Sequence, residues 1–258
     1  MTPTTPQPRR PVATVAVVGA GRLGRPLARA LSAAGSTVTG PFGRDQALDT
    51  RRVDAVVLCV PDAAIADAAS TVRASGFGGV IVHTSGATPL RGSGADAGLH
   101  PLQTFTGDEG PEAFAGAGCA IAGITPEALD AARALAEALG LRAFEVRDEQ
   151  RAGYHAAASV ASNYLVTLLD AAEQVAATAG LDGADARALL HPLVAATVAN
   201  WASLGPSGAL TGPVARGDDA TVRRQRAAIE SEAPHLLPLF DVLRDATHDL
   251  AERGRIRG

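Results

Sequence analysis

Three glycines near the N-terminus stand at a spacing that can hold a phosphate. The segment is Gly19-Ala20-Gly21-Arg22-Leu23-Gly24, a G-x-G-x-x-G pattern. A β-branched run, Val12 to Val18, precedes it, and a helical pattern, Arg22 to Ala34, follows it. Without side chains at these positions the backbone can turn, approach a pyrophosphate and pack helix against strand, with the helix amides facing the anion. The segment predicts a dinucleotide site; a tight turn without ligand is the alternative.

The end of the second predicted strand, Ser36 to Gly40, indicates which dinucleotide binds. An enzyme specific for NAD usually places an acidic residue about 20 residues further on, where it accepts hydrogen bonds from the ribose. Here no acid occurs before Asp45, and Arg44 stands in its place. A guanidinium pairs with a 2′-phosphate, so Arg44, assisted by Arg22, favours NADP(H). The alternative is that Arg44 is a solvated loop residue in a site of lax specificity.

Two further segments follow apolar strands of the first half. Val60-Pro61-Asp62 ends the run Val53 to Val60, and Thr84-Ser85-Gly86-Ala87 ends the run Val80 to Thr84. Ligands of doubly wound sheets bind at the carboxyl ends of the strands. The nicotinamide half of the site is therefore predicted to be lined by Val60, Pro61, Asp62, Ser85 and Gly86. For Asp62, a role as N-cap of the next helix is equally open.

Three polar stretches lie beyond the cofactor segments. They are 99–105, with His100 and Gln103; a helix face with His155, Ser159, Ser162 and Asn163 at offsets of four, seven and eight; and 211–218, with Thr211, Arg216 and Asp218. These residues are the candidates for substrate binding and proton transfer. Each stretch has a simpler alternative: a satisfied loop histidine, a solvated helix face, and an Arg216 that caps a helix or pairs with Asp218.

The composition excludes several classes of function. The chain has 258 residues, 47% of them hydrophobic, a net charge of −4 and a pI near 5.9. It therefore has no basic excess to bind nucleic acid or an anionic membrane. No segment approaches the ~20 apolar residues of a membrane span. All 23 basic residues are arginines, which excludes Schiff-base chemistry on lysine and the Walker A loop.

The two cysteines, Cys59 and Cys119, lie in separate apolar stretches. This usage is typical of buried thiols in a reducing compartment and predicts a cytoplasmic protein. It cannot supply a cysteine metal cluster, and no metal site is expected. Met1 to Pro11 lacks the apolar region of a signal peptide and is expected to be a flexible tail.

The remaining pattern predicts two domains. Strand and helix alternate up to Val146, with a helix over 63–74, a strand over 117–122, a helix over 126–139 and a strand over 141–146. Only long helical stretches follow, over 149–179, 184–204, 218–232 and 234–253. We expect an α/β protein with a doubly wound Rossmann domain over 12–147 and an all-helical domain over 148–258. The helical domain is expected to bind substrate and to form a homodimer.

Three segments carry a resemblance to a known family. LHPLQTF at 99–105, YHAAASVASNY at 154–164 and TGPVARGD at 211–218 are similar to NADP oxidoreductases of the 6-phosphogluconate-dehydrogenase-like superfamily, which join a Rossmann domain to a helical domain of unknown function. The resemblance runs from about Val12 to the C-terminus. Relatives include pyrroline-5-carboxylate reductase, deazaflavin-dependent NADP reductase and ketopantoate reductase. Those enzymes place substrate between the Rossmann cleft and the first long helix of the second domain.

The resemblance also implies roles for individual residues. Hydroxyacid dehydrogenases of the superfamily often use a lysine and an asparagine one turn apart on that helix. Here Asn163 matches the asparagine, and Ser159 stands at the lysine position. The expected acid for a developing alkoxide is then His155, or else His100. Arg216 would hold a carboxylate, and Asn163 or Gln103 would hold a hydroxyl or carbonyl oxygen.

Three functions follow from these expectations. The first is reduction of a small 2-oxo acid by NADPH, preferably ketopantoate, because the family resembles a second type of ketopantoate reductase. The second is imine reduction of the pyrroline-5-carboxylate reductase type. It needs less proton donation from a protein acid if the imine arrives protonated. The third is a sensor that holds NADP(H) without turnover, left open because the lysine is missing.

Overall fold

The computed structural model describes residues 13–44, 46, 48–181 and 183–257, without the side chains of residues 256 and 257. The chain divides between Ser162 and Asn163 into two compact units. We call them the sheet unit, up to Ser162, and the helical unit, from Asn163. The tail predicted at Met1 to Pro11 lies outside the described residues.

Within its described residues, the sheet unit is built on seven strands. They are β1 Thr14–Val18, β2 Thr37–Phe42, β3 Ala55–Leu58, β4 Val80–His83, β5 Ala97–Pro101, β6 Gly118–Gly123 and β7 Arg142–Glu145, in the order β2-β1-β3-β4-β5-β6-β7. β1 to β5 are parallel, β6 is antiparallel to β5, and β7 is parallel to β6. Because β2 and β3 lie on opposite sides of β1, the topological switch point lies between β1 and β3.

Helices cover both faces of this sheet. α1 (Gly24–Ala33) and α3 (Pro126–Ala138) pack on one face, and α2 (Ile65–Ala74) packs on the other. Neighbouring residues of β3 point in opposite directions, so that Val57 joins the core with α1 and Val56 the core with α2. Burial on both faces explains why β3 is a continuous apolar run in the sequence.

The predicted doubly wound α/β fold is confirmed, with one strand that the pattern missed. β5 contains a glycine and ends on a proline, so no β-branched run marks it. It is held in the sheet because Ala97 and Leu99 are buried in the core with α1 and α3. His100 therefore lies in a strand and not, as the alternative had it, in a loop.

The described residues of the helical unit form helices joined by turns, without a strand, as predicted. The α-helices are α5 (Asn163–Thr178), α6 (Gly183–Ala209), α7 (Pro213–Arg216), α8 (Asp219–Glu232) and α9 (Leu237–Arg257). α6 is interrupted at Gly205, where φ of 70° and ψ of 174° are not helical. Among the helices that the structure describes, none has both the length and the apolar character that a bilayer crossing requires.

The boundary between the units differs from the one predicted at 147/148. The helix predicted over 149–179 is broken at Ser162, with φ of −118° and ψ of −71°, between α4 (Arg151–Ala161) and α5. No glycine or proline marks this break, so the sequence carries no signal for it. α4 belongs to the sheet unit because its first two turns form hydrogen bonds with a loop and a strand of that unit.

Candidate functional site

The carboxyl ends of β1, β3, β4 and β5 lie at one edge of the sheet, because these strands are parallel neighbours. The edge brings together the glycine loop 19–24 after β1, residues 59–62 after β3, residues 84–88 after β4 and His100 near the end of β5. The sequence predicted the cofactor at this edge.

The glycine loop needs its glycines for two different reasons. A Cβ on Gly19, whose φ is +106°, would lie 2.2 Å from the carbonyl oxygen of Cys59, and one on Gly24 would lie 1.8 Å from the carbonyl oxygen of Gly19. These two positions must lack a side chain for the loop to pack against β3 and α1. A Cβ on Gly21 would meet nothing within 4 Å. Gly21 faces open space, as expected where a backbone approaches a pyrophosphate.

The N-terminus of α1 is open to an anion. In this fully described helix, Leu23 precedes the first turn without a side-chain cap, and the first turn contains no acidic residue. The peptide amides there lie at the positive end of the helix dipole. Arg22 is exposed in the loop and adds positive charge. These features fit the pyrophosphate of a dinucleotide.

Arg44 lies close behind the carboxyl end of β2. This strand extends to Phe42, two residues further than predicted, and Arg44 follows after one residue and is exposed. The end of β2 is joined to the glycine loop by a hydrogen bond from Gly19 N to Phe42 O, 2.8 Å. A contact of Arg44 with a 2′-phosphate is compatible with this position and stays a prediction.

Val60, Pro61 and Asp62 follow β3, next to the glycine loop. Asp62 is exposed and begins a short 3₁₀ helix, Asp62–Ala64. Neither this turn nor α2 has a side-chain cap, so the alternative that Asp62 is an N-cap is wrong. Its carboxylate is close enough to interact electrostatically with His83 and His100.

Hydrogen bonds of its own hydroxyl groups hold the loop after β4 in place. Thr84 Oγ1 donates to Leu58 O, 3.1 Å. Ser85 Oγ accepts from the amides of Ala87, 3.2 Å, and Thr88, 2.9 Å. These bonds form a turn that fixes the backbone around Gly86. The predicted wall residues Ser85 and Gly86 thus lie at the edge, and the hydroxyl of Ser85 is engaged in the turn.

An ion pair between a buried arginine and a partly exposed aspartate ties this loop to α4. The Arg151 side chain is 3% exposed; its Nε donates to Asp148 Oδ1, 3.1 Å, and its Nη1 donates to Ser85 O, 3.3 Å. The Asp148 carboxylate also accepts from the amides of Leu90, 2.8 Å, and Arg91, 3.0 Å. Burial opposes ionisation of Asp148, but these hydrogen bonds outweigh it and lower the pKa overall.

Two histidines and a tyrosine meet around Gly86. His100 Nδ1 lies 2.6 Å from the Tyr154 hydroxyl, and the His100 ring centroid lies 6.2 Å from that of His155. A Cβ on Gly86 would lie 2.9 Å from His100 Nε2 and 2.8 Å from His155 Cδ2. Both imidazoles therefore contact the backbone of Gly86. The structure brings the candidate acids His100 and His155 together and adds Tyr154.

Burial keeps His100 and Tyr154 uncharged. Desolvation, with smaller contributions from His155 and Arg151, lowers the pKa of His100 to about 4. Desolvation also raises the pKa of Tyr154 to about 12. At neutral pH the His100 imidazole is neutral and the Tyr154 hydroxyl is protonated. The pair can pass a proton along its hydrogen bond, but His100 cannot act as an imidazolium acid at that pH.

His83 is a buried histidine that sequence analysis did not single out. It ends β4, is 0% exposed, and accepts a hydrogen bond at Nδ1 from Ser85 N, 3.2 Å. Its Nε2 has no hydrogen-bond partner among the described residues. Burial, and next the charge of Arg151, lowers the pKa of His83 to about 4. Because Nδ1 accepts, the neutral ring carries its proton on Nε2.

Two predicted residues of the sheet unit lie outside this cluster's contacts. Ser159 is half-buried on α4, one turn after His155. The Gln103 amide is engaged by backbone groups: Oε1 accepts from Thr104 N, 2.8 Å, and Nε2 donates to Ala113 O, 3.3 Å. A substrate contact at Gln103 would have to replace one of these hydrogen bonds.

Four predicted residues belong to the helical unit: Asn163, Thr211, Arg216 and Asp218. Asp218 caps α8 by accepting from Thr221 N, 3.1 Å. Arg216 ends α7, where a positive charge suits the helix dipole. On α9, His248, Asp249 and Glu252 could share a cation, but all three are exposed, and exposed acidic groups are common without one. A substrate role for the four residues stays a prediction.

Neither Arg151 nor a role for Tyr154 was predicted from the sequence. A Cβ on Gly98 of β5 would lie 2.7 Å from Arg151 Nη2, so this glycine makes room for the guanidinium. Glycine in a strand can signal a close approach of another group. The approaching group could not be identified from the sequence, because it comes from a helix far along the chain.

Comparison with known proteins agrees with this architecture. Residues 117–247 match the family described as Domain of unknown function (DUF2520). The chain belongs to this family. The resemblance inferred from the sequence is thereby confirmed. No curated protein sequence matches this DUF2520 protein.

Solved structures share the fold of this DUF2520 protein. Protein TM1727 from Thermotoga maritima is 24% identical, with a TM-score of 0.74 over 93% of this chain and 99% of that chain. BF3122 from Bacteroides fragilis, assigned as an NADP oxidoreductase, is 21% identical, with a TM-score of 0.74 over 92% and 98%. The 1-pyrroline-5-carboxylate reductase of Streptococcus pyogenes is 16% identical, with a TM-score of 0.60 over 93% and 98%. At these identities the likeness establishes a Rossmann-type fold with a C-terminal helical region.

Proposed function

We propose that this protein is an NADP(H)-dependent oxidoreductase. The observation that carries the proposal is Gly21, which faces open space between two glycines that have no room for a Cβ and precedes an uncapped helix N-terminus. The glycine loop and Arg22 would bind the pyrophosphate, and Arg44 the 2′-phosphate. When bound, NADP(H) supplies or accepts a hydride. The likeness to BF3122, assigned as an NADP oxidoreductase, supports the same activity.

The proposed substrate is a small 2-oxo acid, with ketopantoate as the first candidate and pantoate as its product. Reduction of a ketone needs a proton at the developing alkoxide, and His100 and His155 both contact Gly86 at the edge proposed for the nicotinamide. The chain has no lysine, so arginine is the cationic side chain suited to the substrate carboxylate, and Arg216 is our candidate. Asn163 is assigned to a substrate oxygen.

Imine reduction is the second candidate, and the charge state of His100 favours it. A protonated imine brings its own proton, so it needs less from a site whose His100 is neutral at physiological pH. The likeness to pyrroline-5-carboxylate reductase points to the same chemistry.

The test is oxidation of NADPH by the purified protein, followed by NADPH absorbance, with ketopantoate, other branched 2-oxo acids and pyrroline-5-carboxylate. Turnover of ketopantoate supports the first candidate, and turnover of pyrroline-5-carboxylate alone supports the second. NADPH binding without turnover of any of these compounds contradicts both candidate substrates and points to a substrate outside this set or to a sensor. Failure to bind NADPH contradicts the whole proposal.

The site assignment is tested by His155→Ala and Asn163→Ala. Both variants should keep the affinity for NADPH and lose most of the reduction rate. His248→Ala is the matched control, because this histidine is exposed on α9 and has no assigned role. Wild-type rates in both site variants would show that the assignment is wrong.

We further propose that the helical unit forms a homodimer. α6 exposes Leu189, Leu193, Trp201 and Leu204 at helical spacing, each between 57% and 65%. Apolar side chains exposed together on one helix are typical of an interaction surface. Leu193→Glu should convert a dimer to a monomer in light scattering, whereas Ile124→Glu, at a 59% exposed position of the sheet unit, should not. A monomeric wild-type protein would overturn this proposal.

A cytoplasmic location is proposed from the thiols. Cys59 and Cys119 are both free. Burial raises the pKa of each thiol to about 12, so neither is a reactive thiolate. Unpaired, inert cysteines are typical of proteins in a reducing compartment.

A further inference from the structure

Tyr154 is held in one orientation by aromatic rings from two strands. Its ring centroid lies 5.5 Å from that of His100 on β5, at an interplanar angle of 87°. On the other strand, Phe144 of β7 lies 5.8 Å away at 70°. Both are edge-to-face arrangements, which restrict rotation of the ring. The Tyr154 hydroxyl is thereby kept 2.6 Å from His100 Nδ1.

His100 connects this hydroxyl to the proposed cofactor edge. Its Nδ1 faces Tyr154, and its Nε2 lies next to Gly86, where a Cβ would approach to 2.9 Å. The two ring nitrogens thus lie on different sides of the same imidazole. A proton that enters the ring at Nδ1 can be matched by one that leaves at Nε2.

Reduction of a carbonyl needs a proton that this arrangement can supply. Each hydride transferred to a carbonyl carbon requires one proton at the oxygen. A neutral imidazole that gives up its Nε2 proton becomes an imidazolate, unless Nδ1 receives a proton at the same time. The Tyr154 hydroxyl is the group placed to supply that proton, because it is hydrogen-bonded to Nδ1.

We infer that Tyr154 is the proton source for the reduction and acts through His100. The inference rests on the proposed oxidoreductase function. Bound NADPH would supply the hydride to the carbonyl carbon and would leave as NADP⁺, and the carbonyl oxygen takes the proton of His100 Nε2. His100 Nδ1 takes the proton of Tyr154, and the phenolate regains a proton from water after the product leaves. His100 ends neutral, with its proton on the other nitrogen, and returns to the starting tautomer when Tyr154 is reprotonated through it.

Burial and the Cys119 thiol raise the pKa of Tyr154 and oppose a phenolate, whereas the charge of Arg151 favours one. Tyr154 faces Arg151 of α4 and the Cys119 thiol of β6. His100 faces His155 and Arg151, both of α4, and the Asp62 carboxylate. The Arg151 guanidinium is 3% exposed and cannot be screened by bulk water. Its positive charge stabilises the phenolate that forms while the proton is in transit.

The direction of the hydrogen bond can be measured without any substrate. In protein labelled with ¹⁵N-histidine, the NMR spectrum should show His100 with an unprotonated Nδ1 and a protonated Nε2. Tyr154→Phe should shift the His100 signals by removing the donor. A protonated Nδ1 in the wild type would mean that His100 donates to Tyr154. This result would overturn the proposed proton relay from Tyr154 through His100, whether or not the protein reduces anything.

The relay itself is tested by kinetics with the substrate found in the NADPH oxidation assay. Tyr154→Phe should lower kcat by about 100-fold or more, with little change in KM or in NADPH affinity. The double variant His100→Ala/Tyr154→Phe should be no slower than His100→Ala, because the two groups act as a unit. Tyr164→Phe, at the chain's other tyrosine, which is 63% exposed, is the matched control.

Two kinetic outcomes would overturn the relay and leave the proposed function intact. One is a wild-type kcat in Tyr154→Phe. The other is a double variant whose loss is the product of the two single losses, which would mean that Tyr154 contributes independently of His100. If the wild type binds no NADPH, the proposed function fails, and the relay fails with it.

Discussion

At the scale of single residues, Gly86 is the position where the smallest change should have the largest chemical effect. Its backbone tolerates alanine, but a Cβ would lie within 2.9 Å of both His100 and His155. Gly86→Ala should therefore displace the imidazoles and lower the reduction rate, while NADPH affinity, measured by fluorescence titration, changes little.

Gly153→Ala is the matched control for this substitution. Gly153 lies on α4 beside Tyr154, and a Cβ there meets nothing within 4 Å. Alanine should leave the rate unchanged and stabilise the helix by about 1 kcal/mol. An equal loss of rate in both variants would show that α4, rather than the contact at Gly86, is responsible.

The predicted preference for NADPH over NADH depends on Arg44. If its guanidinium pairs with the 2′-phosphate, Arg44→Ala should weaken NADPH binding by about 1.5–3 kcal/mol, the range for a hydrogen bond to a charged group. NADH, which lacks that phosphate, should bind as before. Calorimetric titration with both nucleotides measures the difference. Equal losses for NADPH and NADH would rule out the 2′-phosphate role.

At the scale of elements, the segment from Asp148 to Arg151 connects a helix to a loop. Asp148 bonds two amides of the loop after β4, and Arg151 bonds a carbonyl of the same loop. The loop that carries Gly86 is thus held against the helix that carries Tyr154 and His155. This connection explains why the contacts of α4 are with the sheet unit.

The interruption of α6 requires a glycine. Gly205, with φ of 70° and ψ of 174°, adopts a conformation that is essentially restricted to glycine. Gly205→Ala should lower the free energy of unfolding of the helical unit by about 1–3 kcal/mol. Urea unfolding followed by fluorescence of Trp201, on the same helix, measures this change.

Ser203→Ala is the control for the helix interruption. Ser203 is exposed on α6, two residues before Gly205, and alanine favours helix there. This variant should be neutral or slightly stabilising. If Gly205→Ala and Ser203→Ala had the same free energy of unfolding, the non-helical conformation at Gly205 would not be required by the fold.

At the scale of the whole molecule, buried histidines predict how stability depends on pH. Burial lowers the pKa of His83 from its ordinary value of 6.5 to about 4. Between these values the unfolded chain binds a proton that the folded chain does not, so stability falls as the pH falls through this window. His83 alone accounts for up to about 3 kcal/mol, and His100 acts in the same direction.

This dependence can be measured as the free energy of urea unfolding, followed by circular dichroism, at about pH 7.5 and about pH 5. The wild type should be markedly less stable at the lower pH. His83→Gln removes one of the two histidines and should lose less stability between the two conditions. An unchanged difference in His83→Gln would mean that His83 is not the source.

Much of the sheet unit could be predicted because its signals are local. The apolar run of β3 and the pattern around the glycine loop each occupy a few consecutive residues, so their spacing identifies them. β5 was missed because burial, and not propensity, places it in the sheet. The break at Ser162 was missed because no glycine or proline marks it.

Local sequence patterns were enough to predict the doubly wound fold, the glycine loop and the edge at which a dinucleotide would bind. Which groups face each other at that edge became known only from the folded structure. His100 and Tyr154 are 54 positions apart, and Gly98 makes room for Arg151 from a different element. The physical reason is that hydrophobic periodicity reports which face of an element is buried, whereas the contact between two polar side chains depends on strand order and on the packing of distant elements.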